Sequence, residues 1–251
     1  MNSEPSRLAI TMDIDWASEA AVRRAFAFLD ERGVTGTVFS THPSNAVEAR
    51  LGDWEVGLHP FFGIGSSHGG SASEVVSYVT GLPHNFKAFR CHMFEAGNTA
   101  YAAMLYAGFK VSSNVCTDLE VVTPFKNRFG MLEIPVFMED GGFLFRQRAT
   151  TDLRIFEDSL RKPGLKVILL HPMHIAVNTP DFGYMVDIKR SLDRKSWNAL
   201  SDDDLSRLRS PKIGIADIVA DILELADDLR VPLTSLGCVA AERSSQASQH
   251  A

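Results

Sequence analysis

The stretch LAITMDIDWA, residues 8–17, is an apolar run that ends in two carboxylates, Asp13 and Asp15. In an extended chain the side chains at i and i+2 point the same way, so a strand over RLAITMD would carry both acids on one face. Two carboxylates that close repel unless a cation, a hydrogen-bond donor or a proton lies between them. By itself the stretch allows a plainer reading, in which one acid caps the following helix and the other is solvated. The remainder of the chain decides between these.

Working outward, short apolar runs alternate with longer amphipathic segments, the pattern of repeated βα units. SEAAVRRAFAFLDERG follows the first strand as a helix, with Ser18 as its N-cap and Gly33 as its stop. TGTVFST and WEVGLH read as strands, SASEVVSYVTGL as a short helix, FKAFRCH as a strand, TAYAAMLYAG as a helix and FKVSSNV as a strand. LEIPVFME is expected to be one strand, TTDLRIFEDSLRKPG a helix, KVILLHP a strand, DIVADILELADDLR a helix and VPLTSLGCV the closing strand. Seven or eight strands interleaved with helices favour an α/β fold, either a closed barrel or a doubly wound sheet. No Gly-rich phosphate loop of either usual spacing occurs, which weighs against a nucleotide-binding sheet. GIGSSHGG reads as a mobile loop near a site.

The chain has 251 residues, 45% hydrophobic and 22% charged, enough for one large core. We expect a single domain over residues 8–241 between polar tails at 1–7 and 242–251, the last stretch frayed. A net charge of −6 gives no sign of a phosphate-neutralising surface, so nucleic acid is not an expected partner. The opening MNSEPSR shows no signal peptide, and no apolar run approaches the roughly 20 residues that cross a bilayer; a cytoplasmic location is expected. Cys91, Cys116 and Cys238 are widely spaced and odd in number, which suits reduced thiols buried as small hydrophobes.

The informative feature is where the polar residues collect. Asp13 and Asp15 end the first strand, His42 follows the second, His59 ends WEVGLH, and Arg90 with His92 ends FKAFRCH; Glu139 and Asp140 end LEIPVFMED, and His171 ends KVILLH. In a barrel of parallel strands these ends gather on one rim, where such enzymes place their chemistry. Each residue also has a structural reading: a hydrogen-bonded histidine, an Arg90 ion pair with a carboxylate, a turn shaped by Asp140 before Gly141, or loop positions at His174 and Asn178. Mixed histidine and carboxylate donors suit a divalent metal such as zinc, which acidifies a bound water. Asp13 would then act as base, Asp15 as a ligand and a histidine as acid, the equipment of amide or ester hydrolysis.

The ordered series TMDIDWA, GTVFST, EVGLHPFF, FRCHMF, IPVFMEDGG and ILLHPMHI resembles the polysaccharide deacetylase family with the NodB homology domain, carbohydrate esterase family 4, most closely a branch associated with lipopolysaccharide and surface-sugar biosynthesis. The resemblance implies a distorted (β/α) barrel that removes acetyl groups from N-acetylated sugars with a metal bound by one Asp and two His. It implies that Asp13 is the catalytic base, Asp15 and His59 metal ligands, Arg90 the group that holds the base, His171 the acid and Asp140 its orienting partner. Two departures stand out. Ile14 separates the acids where the family's commonest motif has them adjacent, and Gly63 occupies the place of the second metal histidine. His92, two residues beyond Arg90, is the preferred third ligand and His68 its rival.

Two other classes compete. A haloacid dehalogenase-like phosphatase also begins with a strand and Asp-x-Asp, and would draw on Thr41 and Asp140. A barrel that has lost its ligand at Gly63 would bind a sugar or partner protein without turning it over.

Overall fold

The computed structural model describes residues 4–146 and 153–248. Its strands are β1 (Ser6–Asp13), β2 (Thr37–Ser40), β3 (Glu55–Leu58), β4 (Ala88–Phe89), β5 (Val111–Ser112), β6 (Phe125–Lys126), β7 (Leu132–Glu133), β8 (Met138–Glu139), β9 (Gly164–Leu170) and β10 (Leu233–Thr234). They form one curled sheet in the order β6-β7-β5-β4-β3-β2-β1-β9-β8, and β10 pairs with β1. Among the described strands only the β6–β7 pair is antiparallel. The expected α/β architecture is present, with ten strands among the described residues in place of seven or eight.

Alternation along the central strands sets the layers. Leu8, Ile10, Met12 and Ile14 of the first stretch pack outward under the helices, while Ala9 joins an inner core with Phe39, Ala88, Val167 and Leu169. Strand β9 repeats the division, with Ile168 and Leu170 outward and Leu165, Val167 and Leu169 inward. Both faces are buried, which is why these runs read as continuously apolar. Thr11 and Asp13 lie on the inner side with Ala9, and there they are covered (0% and 2% exposed). The helix Glu19–Asp30 starts as expected, the Ser18 hydroxyl accepting from the Ala21 amide, and Gly33 follows its end at φ +65°.

LEIPVFME is two strands, not one. Pro135 cannot donate to a ladder, and the run divides around it into β7, paired with β5, and β8, paired with β9. The segment therefore spans the two ends of the curl. The Val136 amide donates to the Val115 carbonyl (2.7 Å) on one side, and the Phe137 amide to the Val167 carbonyl (2.8 Å) on the other.

The C-terminal end also differs from expectation. Only Leu233 and Thr234 of VPLTSLGCV pair, with Leu8 and Ala9, and the chain then turns into the helix Leu236–Ser248, which takes in most of the supposed tail. Leu236 and Val239 lie three apart on this helix and both enter the inner core. Burying that stripe against the base of the curl outweighs the strand-like composition. At the other end β1 starts at Ser6, and Glu4 pairs with Arg7 and Arg243. Part of TTDLRIFEDSLRKPG, residues 150–152, lies outside the described residues, and the helix Arg154–Arg161 represents the rest. Cys91 is buried, whereas Cys116 and Cys238 are exposed, against the expectation for all three; none forms a disulfide. No described helix is long and apolar enough to cross a membrane.

Gly57 in β3 makes room for the inner core, because a Cβ there would stand 2.8 Å from the Phe39 ring and from the Ala88 carbonyl oxygen. Gly57→Val should destabilise the fold by about 1–3 kcal/mol through overpacking. Urea unfolding of the two proteins measures this, and equal midpoints would contradict the packing described.

Candidate active site

Arg90 crosses the inside of the curl. It is 0% exposed, its Nη1 donates to Asp13 Oδ1 (2.8 Å) and Thr11 Oγ1 (3.0 Å), and Nε and Nη2 donate to the carbonyl (3.0 Å) and hydroxyl (2.8 Å) of Ser113. The guanidinium carbon lies 4.5 Å over the Phe39 ring. A charge taken out of water needs such a set of partners, and here the answering charge is Asp13. The second oxygen of Asp13 faces His59 Nδ1 at 3.4 Å.

Strand β1 stops at Asp13, and Asp15 reaches the mouth by a turn, not by strand alternation. Asp15 and Trp16 have φ of +41° and +54°, the Ala17 amide closes the turn on the Ile14 carbonyl (2.7 Å), and Asp15 swings toward two histidines. Its Oδ1 is 3.0 Å from His59 Nε2 and 3.1 Å from His92 Nδ1. Donor atoms of Asp15, His59 and His92 all lie within 4.8 Å of one another. Ligands of a tetrahedral ion with bonds near 2.0 Å sit about 3.3 Å apart, so the spacing suits one small cation. Both ring nitrogens of buried His59 lack a hydrogen bond of proper geometry although each faces a carboxylate oxygen, which leaves the ring able to take another partner. Burial opposes the charge on Asp15, but His171, His59 and His92 together hold its carboxyl well below the usual range.

His171 follows β9 on the opposite side of Asp15, with Nε2 3.5 Å from Asp15 Oδ2. Asp140 grips it twice: Oδ1 lies 2.6 Å from Nδ1, and Oδ2 accepts the His171 amide at 2.7 Å. Burial works against protonation of His171, yet Asp140, then Asp15 and Glu139, raise it to about 10. Glu139 itself caps the helix Asp140–Phe145 by accepting from the Gly141 and Gly142 amides. Asp140, His171 and His174 form a second group able to hold a cation, but both Asp140 oxygens already hydrogen-bond to His171, unlike the open nitrogens of His59.

The remaining candidates sort themselves by contact. His68 does not join the cluster: its Nδ1 accepts from the Phe61 amide (3.1 Å) and its ring stacks on Tyr78 at 4.6 Å, so the glycine-rich stretch around it is pinned by these contacts. His42 leans on Thr41 Oγ1 (2.8 Å), which also accepts the Trp16 amide; Thr41 thus holds the Asp15 turn. Asn178 ties residues 210–217 together through Lys212, Ala216 and Asp217. A carboxylate that sequence reasoning passed over, Glu133, is buried (1% exposed) and accepts from the Asn114 amide and Ser112 hydroxyl, while Asn114 Oδ1 accepts the Cys91 amide (2.7 Å). That relay fixes the chain between Arg90 and His92, and its one visible signal was a charged residue inside an apolar run.

Residues 10–186 match the family model for WbmS-like polysaccharide deacetylases. The chain belongs to this family. A Bordetella bronchiseptica structure, described as a polysaccharide deacetylase involved in O-antigen biosynthesis, shares the fold with a TM-score of 0.75 at 20% identity, over 88% of this chain and 91% of that one. Weaker likenesses include the peptidoglycan deacetylase PdaC from Bacillus subtilis (TM-score 0.47, 11% identity, 99% and 96% covered) and a pseudoenzyme of carbohydrate esterase family 4 from Bacillus anthracis (0.44, 12%, 94% and 66%). No curated protein matches. The family match leaves the phosphatase alternative without support.

In this member of the family, a Cβ on Gly63 would strike Glu95 Oε2 and come within 2.5 Å of Phe61 Cε2. A side chain at 63 would have to displace the exposed Glu95 carboxylate and turn the Phe61 ring. Arg90→Met should cost about 3–5 kcal/mol of stability, because it leaves Asp13 buried without its countercharge. Chemical denaturation tests this, and a loss below about 1 kcal/mol would show the pair to be dispensable.

Proposed function

We propose that the protein is a metal-dependent hydrolase that removes an acetyl group from an N-acetylated sugar. The carrying observation is the convergence of Asp15, His59 and His92 between an Arg90-held carboxylate and an Asp140-held imidazole. Family membership supports a sugar as substrate. A divalent cation, zinc by the mixture of imidazole and carboxylate donors, would be held by Asp15, His59 and His92 and would supply Lewis acidity to the amide carbonyl and to water.

The protein's own groups do the rest. Asp13, ion-paired with Arg90, takes the proton of the attacking water through the oxygen not bound to the guanidinium. His171 has Nδ1 engaged by Asp140, which leaves Nε2 as the end that can deliver a proton into the mouth. That proton goes to the amine nitrogen as the carbon–nitrogen bond breaks, so acetate and a free amine leave. Trp16 and Phe61, with rings 5.0 and 5.1 Å from His92, wall one side and limit water there.

Asp13→Asn should abolish turnover with zinc still bound, while Asp15→Asn and His59→Ala lose the zinc. His92→Ala should weaken zinc binding by about tenfold or more. Zinc content and affinity of the purified variants decide this; full occupancy in His92→Ala would remove His92 from the ligand set. Zinc loss in Asp13→Asn would make that residue a support for His59 instead of the base.

Asp140→Asn removes the charge that lifts His171, so the imidazole loses its proton at lower pH. The alkaline limb of the kcat profile should move down toward neutrality while zinc stays bound. An unmoved limb would exclude His171 as the acid.

A further inference from the structure

The chain carries a net charge of −6, yet one stretch of the rim is cationic. The helix Phe182–Ser191 ends with Lys189 and Arg190, and the helix Arg194–Asn198 begins with Arg194 and Lys195. All four are exposed. Elsewhere arginines such as Arg24 and Arg207 hold Asp202 and Asp204, but among the described residues none of these four pairs with a carboxylate. Asp193, which lies between them in sequence, is engaged in capping the Ser196 amide at 2.7 Å.

Two contacts attach this patch to the mouth. The Arg194 guanidinium carbon lies 4.7 Å over the Trp16 ring, and Trp16 follows Asp15 in the chain and packs 5.0 Å from His92. Phe182, at the start of the first of these helices, meets Phe145 of the helix that leads out of Asp140, with ring centres 5.1 Å apart.

We propose that this rim binds an oxyanion, phosphate or carboxylate, borne by the N-acetylated substrate, so that the substrate is an anionic glycan and Arg194 determines that preference. The inference rests on the deacetylase reading for the identity of the site it flanks. The Arg194 guanidinium carbon lies over the Trp16 ring and its N–H fork has no carboxylate partner among the described residues, an arrangement that permits bidentate recognition of an oxyanion. Lys189, Arg190 and Lys195 add field more than contacts, raising the local concentration of an anion and making the preference weaken with salt.

The test is equilibrium binding to the zinc-loaded protein of N-acetylglucosamine, its 1-phosphate and its 6-carboxylate. At least one anionic sugar should bind about tenfold more tightly than the neutral one, and which of the two does so separates phosphate from carboxylate. In Arg194→Gln/Lys195→Gln the advantage should fall to about threefold or less, with partial recovery in Arg194→Lys. Three results would overturn the proposal: a small advantage for both anions, an advantage that survives the double substitution, or no measurable binding of either anion. Zinc content and turnover followed on the same samples keep the two readings apart. Arg194-dependent anion preference without any acetate release would sink the deacetylase reading and leave the anion site standing.

Discussion

A guanidinium with no access to water organises the mouth of this protein. Arg90 starts from a strand of two residues, passes through the inside of the sheet and ends against Asp13, Thr11 and Ser113, which come from strands on both sides of it. A buried charge so placed tolerates little displacement, because every lost partner leaves an unanswered donor or an unpaired carboxylate. The positions of β1, β4 and the chain after β5 are thereby tied to one another at the end where the chemistry would occur. Asp13 inherits its orientation from this arrangement, and His59 meets Asp13 on its other oxygen.

Much of that geometry could be read from the chain. The alternation in LAITMD, with Leu8, Ile10 and Met12 on one side and Ala9, Thr11 and Asp13 on the other, puts a carboxylate inside a parallel sheet whose end forms a rim. His171 at the end of KVILLH follows from the same logic. Alternation also carries His92, since Cys91 between it and Arg90 packs outward with Phe89. It does not account for Asp15, which arrives through two left-handed residues that no apolar period encodes. The closing of the sheet was hidden as well, because LEIPVFME looks like one strand until Pro135 and its two different neighbours are known. Similarly, VPLTSLGCV has the composition of a strand, and only the open base of the curl explains why Leu236 and Val239 go there on a helix.

Backbone strain gathers around the three converging donors. Asp15 and the Trp16 that follows it, and Met93 and Phe94 that follow His92, all have positive φ without being glycine. Such conformations cost about 1–3 kcal/mol each and persist where surrounding contacts determine them. Here those contacts are the Thr41 hydroxyl under the Trp16 amide and the Pro60 carbonyl under the His92 amide. A Cβ at Gly63, in the loop after β3, would meet the ends of the Phe61 and Glu95 side chains.

In the proposed function Asp15, His59 and His92 grip a common cation. Anomalous diffraction at the zinc edge from crystals grown with equimolar zinc tests it most directly. One peak bounded by the carboxylate of Asp15 and the rings of His59 and His92 is the predicted result; a peak seated instead between Asp140, His171 and His174, or no peak at all, would contradict it.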